Sequence, residues 1–155
     1  MDKIAIFPGS FDPITCGHKS IIRRAIPLFD KIIIAIGINA LKSTYFDLET
    51  RKAMIRAVFV DCEKVEIQSY TGLTIDFCSE VNARFLLRGL RTSADFEFER
   101  SIGQINKQLN PDIETVFLLT QPEHTAINSS IVRDILRHKG KVDQFVPVEV
   151  LQFLK

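Results

Sequence analysis

The sequence predicts a single α/β domain of the doubly wound, Rossmann-like kind, built on a five-stranded parallel sheet. Short apolar runs alternate with helical patterns from end to end, and that order needs crossovers and hence parallel strands. One run, Lys31 to Ile38, is almost wholly Ile, Ala and Gly, as expected of a strand covered on both faces. The 155 residues contain no repeat and no Gly/Ser/Pro-rich linker, which suits one domain with its own core.

The elements follow in order. Lys3 to Phe7 reads as a first strand. His18 to Phe29 is helical, with Ile21, Ile22, Ala25, Leu28 and Phe29 spaced three and four apart on one face and Pro27 near the end. Lys31 to Ile38 is the second strand. Asp47 has the character of an N-cap, with Glu49 in the first turn and Met54, Ile55, Val58 and Phe59 on the buried stripe. Lys64 to Ser69 is a third strand, Leu73 to Val81 a short helix, and Arg84 to Leu87 a fourth strand ending at Arg88-Gly89. Ser93 to Leu109 is a longer polar helix and Glu114 to Thr120 a fifth strand. Ser129 to Arg137 is helical with Gly140 as a stop signal, and Val148 to Leu154 forms a last short helix.

Composition narrows the function classes. Hydrophobic residues make up 46% and charged residues 25%, which is globular. A net charge of +1 speaks against a bulk nucleic-acid binder. No apolar run approaches membrane-spanning length, and no targeting segment is expected ahead of the first strand. Cys16, Cys62 and Cys78 are odd in number and form no C-x-x-C pair, so neither a disulfide framework nor a zinc site is expected, and a reducing cytoplasm is the expected location.

In an open parallel sheet, ligands bind beyond the carboxyl ends of the strands, near the point where strand order reverses. Candidate residues fall there. Gly9 follows the first strand and lets backbone approach a ligand; Ser10 adds a hydroxyl, and Gly17-His18 opens the first helix, whose free N–H groups suit a phosphate. Neither G-x-x-x-x-G-K-[ST] nor G-x-G-x-x-G is present, which removes most support for a P-loop ATPase, a kinase or a dinucleotide dehydrogenase. Arg88 and Arg91 flank Gly89 and suit phosphate recognition; a structural pairing with Asp95 or Glu97 is expected for one of them rather than both. Glu99 belongs to an acidic helix face of the solvated kind. Ser129 and Ser130 open a helix, as caps or as a second phosphate site. Lys42, after the second strand, reads alone as a surface lysine, and Leu73-Thr74 as a turn and cap. Cys16 sits inside the first loop as a bystander sensitive to oxidation.

The T-C-G-H of Thr15 to His18 resembles the T/H-x-G-H signature of the nucleotidyltransferase superfamily. The whole string P-G-S-F-D-P-I-T-C-G-H is similar to bacterial phosphopantetheine adenylyltransferases. The likeness continues at Lys42, at Arg88-Gly-Leu-Arg91, through Ala94-Asp-Phe-Glu-Phe-Glu99, and at Ile127-Asn-Ser-Ser130 with Arg133. The resemblance implies adenylyl transfer from ATP to 4′-phosphopantetheine, giving dephospho-CoA and pyrophosphate. It implies catalytic work by His18 and Lys42, with Arg91 and Ser129 holding the triphosphate. Ser10, Phe11, His18, Gly89, Leu90, Arg91, Glu99 and the stretch His124, Thr125, Ala126, Ile127, Asn128, Ser129, Ser130 would bind ATP. Ser10, Lys42, Leu73, Thr74 and Arg88 would bind the acceptor. No protein-built metal site is implied; Mg²⁺ would come mainly with the ATP phosphates, and the chain would form a homo-oligomer, commonly a hexamer. Asn128 stands where the family pattern has serine, and His124 where an aromatic residue is common. Other readings are a different T-x-G-H enzyme acting on nicotinate mononucleotide or using CTP, a non-catalytic CoA or nucleotide sensor, and a flavodoxin-like module.

Overall fold

Alternation along the central strands sends side chains to two opposite faces, and helices cover each. In a computed structural model describing residues 1–155, the strands are β1 (Ile4–Gly9), β2 (Lys31–Gly37), β3 (Val65–Tyr70), β4 (Phe85–Leu90) and β5 (Glu114–Leu119). They form one parallel sheet in the order β3-β2-β1-β4-β5. Helices α1 (Cys16–Ala25), α2 (Leu48–Val58) and α5 (Ser129–Arg137) bury Ile21, Ile22, Met54, Ile55 and Val132 against Phe7, Ile32, Ile34 and Leu87. On the other face α3 (Thr74–Glu80) packs Ile75, Phe77 and Cys78 on Ile6, Ile33 and Leu86. There too lies α4 (Ser93–Leu109), with Phe96 against Phe117 and Gly103 against Thr115. The expected doubly wound, five-stranded architecture is thus the observed one.

The crevice follows from how the two middle strands pair. β1 keeps six register pairs with β2, from Ile4↔Lys31 to Gly9↔Ile36, but only two with β4, Ala5↔Phe85 and Ile6↔Leu86. Beyond Ile6 the strands part, and Pro8 has no N–H to offer across the gap. Order reverses at this same point, so the switch-point rule and the splay mark one place.

Several local expectations are corrected. β1 runs to Gly9, and β4 runs through Arg88 and Gly89 to Leu90 because it stays paired with β5 as far as Leu90↔Leu119. Helix α1 begins at Cys16, not His18: the cap is Thr15, whose hydroxyl accepts from the His18 amide. Pro27 ends α1 by starting a 3-10 turn, Ile26–Leu28, which swings Leu28 out to solvent. The last helix is 3-10, Val148–Phe153, and an unforeseen 3-10 turn occupies Pro122–His124. After α5 it is Lys139, with φ 60°, that takes the left-handed conformation; Gly140 serves close approach, since a Cβ there would meet Ile135 at 2.6 Å. Asp47 does cap α2, accepting from the Thr50 amide at 2.7 Å. No helix is long and apolar enough to cross a membrane.

Candidate active site

Two cavities open at the splayed ends of β1 and β4. One, of about 250 Å³, is lined by Gly9, Gly17, His18, Gly89 and Arg91 and by the approach to α5, His124, Ile127, Asn128 and Ser129. The other, of about 300 Å³, runs under α4 between Ser10, Tyr70, Thr74, Ile102 and Asn106. Pro8, Gly9, Arg88 and Glu99 line both.

His18 is held from behind. The Thr15 amide donates to its Nδ1 at 3.0 Å, and the ring lies edge-on to Phe11 at 5.0 Å. Burial first, then the nearby Arg88 and Arg91 cations, push its pKa down from 6.5 to about 4. The imidazole is therefore neutral through the neutral range. Because Nδ1 accepts, its proton sits on Nε2. Phe11 is buried and holds φ 48°, rare for a bulky residue; its ring packs against His18 and lines neither cavity. A Cβ on Gly9 would lie 3.1 Å from that ring, which explains a glycine there.

As expected, one arginine pairs with Asp95, and it is Arg91; Arg88 also pairs with α4, but through Glu99. Arg88 donates from Nε and Nη2 to the two Glu99 oxygens at 2.9 and 2.7 Å, and from Nη1 to the Pro8 carbonyl at 2.9 Å. Arg91 donates from Nε to Asp95 at 3.0 Å. Burial works to raise the Asp95 pKa, and the contacts with Arg91 outweigh it, so the carboxyl lies below its usual range. Asp95 and Glu99 are one helical turn apart on α4, which starts three residues after β4 ends, so both face the strand's end. Glu97, on another face, pairs with Arg100 instead. Glu99 is accordingly no solvated surface residue; it joins Arg88 in the wall shared by the two cavities.

At the start of α5, Asn128 is the N-cap: its Oδ1 accepts from the Ile131 amide at 2.9 Å, as a serine hydroxyl would, and its NH₂ is left over. Ser129 donates its hydroxyl to the Pro13 carbonyl at 2.8 Å and thereby ties α5 to the first loop. Ser130 Oγ accepts from Arg133. His124 lines the smaller cavity, with a buried Nδ1 that has no partner. Thr74 lines the larger one, its hydroxyl 2.7 Å from that of Tyr70.

Not every candidate meets the cavities. Lys42 and Leu73 are exposed and line neither; Leu90, Thr125, Ala126 and Ser130 are also outside their walls. Cys16 is half-buried, and burial pushes its thiol pKa up, contrary to what a nucleophile needs. Sequence reasoning missed Tyr70, Ile102, Gly103, Asn106 and Thr115 in the larger cavity. One signal was available: a glycine at 103, inside a helix, costs stability unless something needs the space.

Residues 6–135 match the cytidylyltransferase-like family model. The chain is 51% identical over 150 residues to the phosphopantetheine adenylyltransferase of Cytophaga hutchinsonii, covering 97% of this chain and 100% of that one. It is 57% identical over 143 residues to the one from Flavobacterium johnsoniae, covering 92% and 93%. The chain belongs to the phosphopantetheine adenylyltransferase family. It is thus a nucleotidyltransferase by descent, and solved structures share its fold. A candidate nicotinate-nucleotide adenylyltransferase of Vibrio parahaemolyticus superposes with a TM-score of 0.76 at 20% identity, covering 99% of each chain. A bifunctional NMN adenylyltransferase/ADP ribose pyrophosphatase of Francisella tularensis gives 0.74 at 18%, covering 94% of this chain and 45% of that one.

Proposed function

We propose that this chain transfers the adenylyl group of ATP to 4′-phosphopantetheine, forming dephospho-CoA and pyrophosphate. The observation that carries the reading is the meeting of two cavities at one wall, Pro8, Gly9, Arg88 and Glu99. The smaller, with His18, Arg91 and two helix N-termini, suits a triphosphate. The larger, with Thr74 and Tyr70 hydroxyls, Ile102 and the Asn106 amide, suits an arm carrying amides and methylenes. Family membership supports the same substrates.

An acceptor phosphate oxygen attacks the α-phosphorus, a P–O bond forms, and the bond to the β-phosphate oxygen breaks with release of pyrophosphate. The phosphate acceptor is already anionic, so no general base is needed. Catalysis then rests on alignment and on donors aimed at the developing charge. The Nε2–H of a neutral His18 is such a donor, held from behind by Thr15. In our reading Arg91 and the α5 N-terminus hold the β- and γ-phosphates, with Ser129 acting through its backbone amide while its hydroxyl stays on Pro13. Lys42 reaches the acceptor phosphate from its exposed loop. Mg²⁺ would arrive with ATP and supply charge shielding to its phosphates.

Two further assignments belong to this reading. The three cysteines are free, which fits the cytoplasm. The outer face of α4 and the β5 edge leave Phe98, Ile105, Leu109 and Leu119 more than half exposed, which fits a homo-oligomer. A co-crystal with ATP and 4′-phosphopantetheine tests the site. The expected density has phosphates between His18 and Ser129 and the pantetheine arm beside Thr74 and Asn106. An arm in the smaller cavity, or no ordered acceptor, would contradict it.

A further inference from the structure

Three polar or charged side chains are buried in this chain: Asp12, Thr15 and Arg51. Thr15 caps α1. Asp12 and Arg51, 3% and 5% exposed, line neither cavity and have no part in the chemistry above. Burying a charge is costly unless its partners are good, and the partners here converge on one segment. Asp12 accepts from the Tyr45 amide through Oδ2 at 2.7 Å and from the Phe46 amide through Oδ1 at 2.8 Å. Arg51, on α2, donates from Nε to the Phe46 carbonyl at 3.1 Å and from Nη1 to the Ser10 carbonyl at 2.8 Å. The Asp12 carbonyl in turn accepts from Arg133 of α5 at 2.9 Å.

Phe46 is thus gripped through both its backbone groups by charged side chains, and charge-assisted bonds are the stronger kind. The gripped residues are the root of an otherwise exposed loop, and Lys42 lies three residues before the first of them. The other ends of the grip are Ser10 and Asp12, inside the loop that carries His18 on its far side. We infer that Asp12 and Arg51 are positioning residues for Lys42, joining the root of its loop to the nucleotide-binding loop so that the acceptor's cation is aimed relative to ATP. The inference rests on the reading of Lys42 as a contact of the acceptor phosphate.

Steady-state kinetics of the full chain with ATP and 4′-phosphopantetheine test it, using Asp12→Asn, Lys42→Ala and the double variant. Asparagine keeps the shape of Asp12 but turns an NH₂ toward one of the two amides. Asp12→Asn is expected to lower kcat/KM for phosphopantetheine on the order of 10-fold or more. It should leave KM for ATP within about twofold and add little to the loss in a Lys42→Ala background. Losses that multiply in the double variant, or equal damage to the ATP KM, overturn the inference while leaving the Lys42 reading intact. Wild-type acceptor kinetics in Lys42→Ala alone refute that reading and the inference with it. If Asp12→Asn fails to fold, Tyr45→Pro removes one of the two gripped amides from the exposed side. It must then show the same acceptor-specific loss, and wild-type kinetics in that variant contradict the inference.

Discussion

His18 shows how one residue's surroundings select its chemistry. An imidazolium would be the stronger donor, but burial and two arginines keep the ring neutral, and the Thr15 amide fixes which nitrogen carries the proton. Replacing it by alanine removes a transition-state donor, so kcat is expected to fall about 10²-fold or more while KM for ATP changes modestly; turnover near wild type would reduce His18 to a cap. The low pKa also has a sign for stability. The unfolded chain takes up this proton near 6.5 and the folded chain only near 4, so acidification through that window favours unfolding, and below 4 the group adds nothing more. Urea melts at pH 7, 5 and 4 should therefore show a shallower acid loss for His18→Gln than for wild type. The motif names this residue, but its charge state was not legible in the sequence. It depends first on the burial of the ring in the folded chain and then on Arg88 and Arg91, some seventy residues away.

At the scale of elements, caps and strand ends do most to shape the site. Asn128 caps α5 as a serine would, so Asn128→Ser should be nearly neutral in thermal unfolding, whereas Asn128→Ala should cost about 1 kcal/mol. Helix α4 carries Gly103 against Thr115 in the wall of the larger cavity. Gly103→Leu would project a side chain there. It is expected to raise KM for the acceptor and leave that for ATP unchanged; no effect on either would remove this cavity from the acceptor site. Element types and order were readable because the apolar runs are long and periodic and because Pro27 and Asp47 punctuate them. Strand ends were not. Arg88 to Leu90 resemble a turn when read alone, and only pairing with β5 keeps them extended. Much of the larger cavity escaped notice for a similar reason, since its walls come from all five strands together with α3 and α4 and no local pattern unites them.

For the whole molecule, the parting of β1 from β4 opens the candidate site, and the bare outer face of α4 is the surface we propose for self-association. Phe98→Glu with Ile105→Glu should dissociate an oligomer in analytical ultracentrifugation, and an unchanged sedimentation coefficient would move the interface elsewhere. The fold is shared with proteins named as nicotinate-nucleotide and NMN adenylyltransferases, and at 18–20% identity that likeness concerns architecture alone. The choice of acceptor is therefore the central claim. It is tested most directly by pyrophosphate release from ATP with 4′-phosphopantetheine or nicotinate mononucleotide offered separately to the purified chain. Turnover with phosphopantetheine and none above background with the mononucleotide is the predicted result. Turnover with the mononucleotide and none with phosphopantetheine would contradict it.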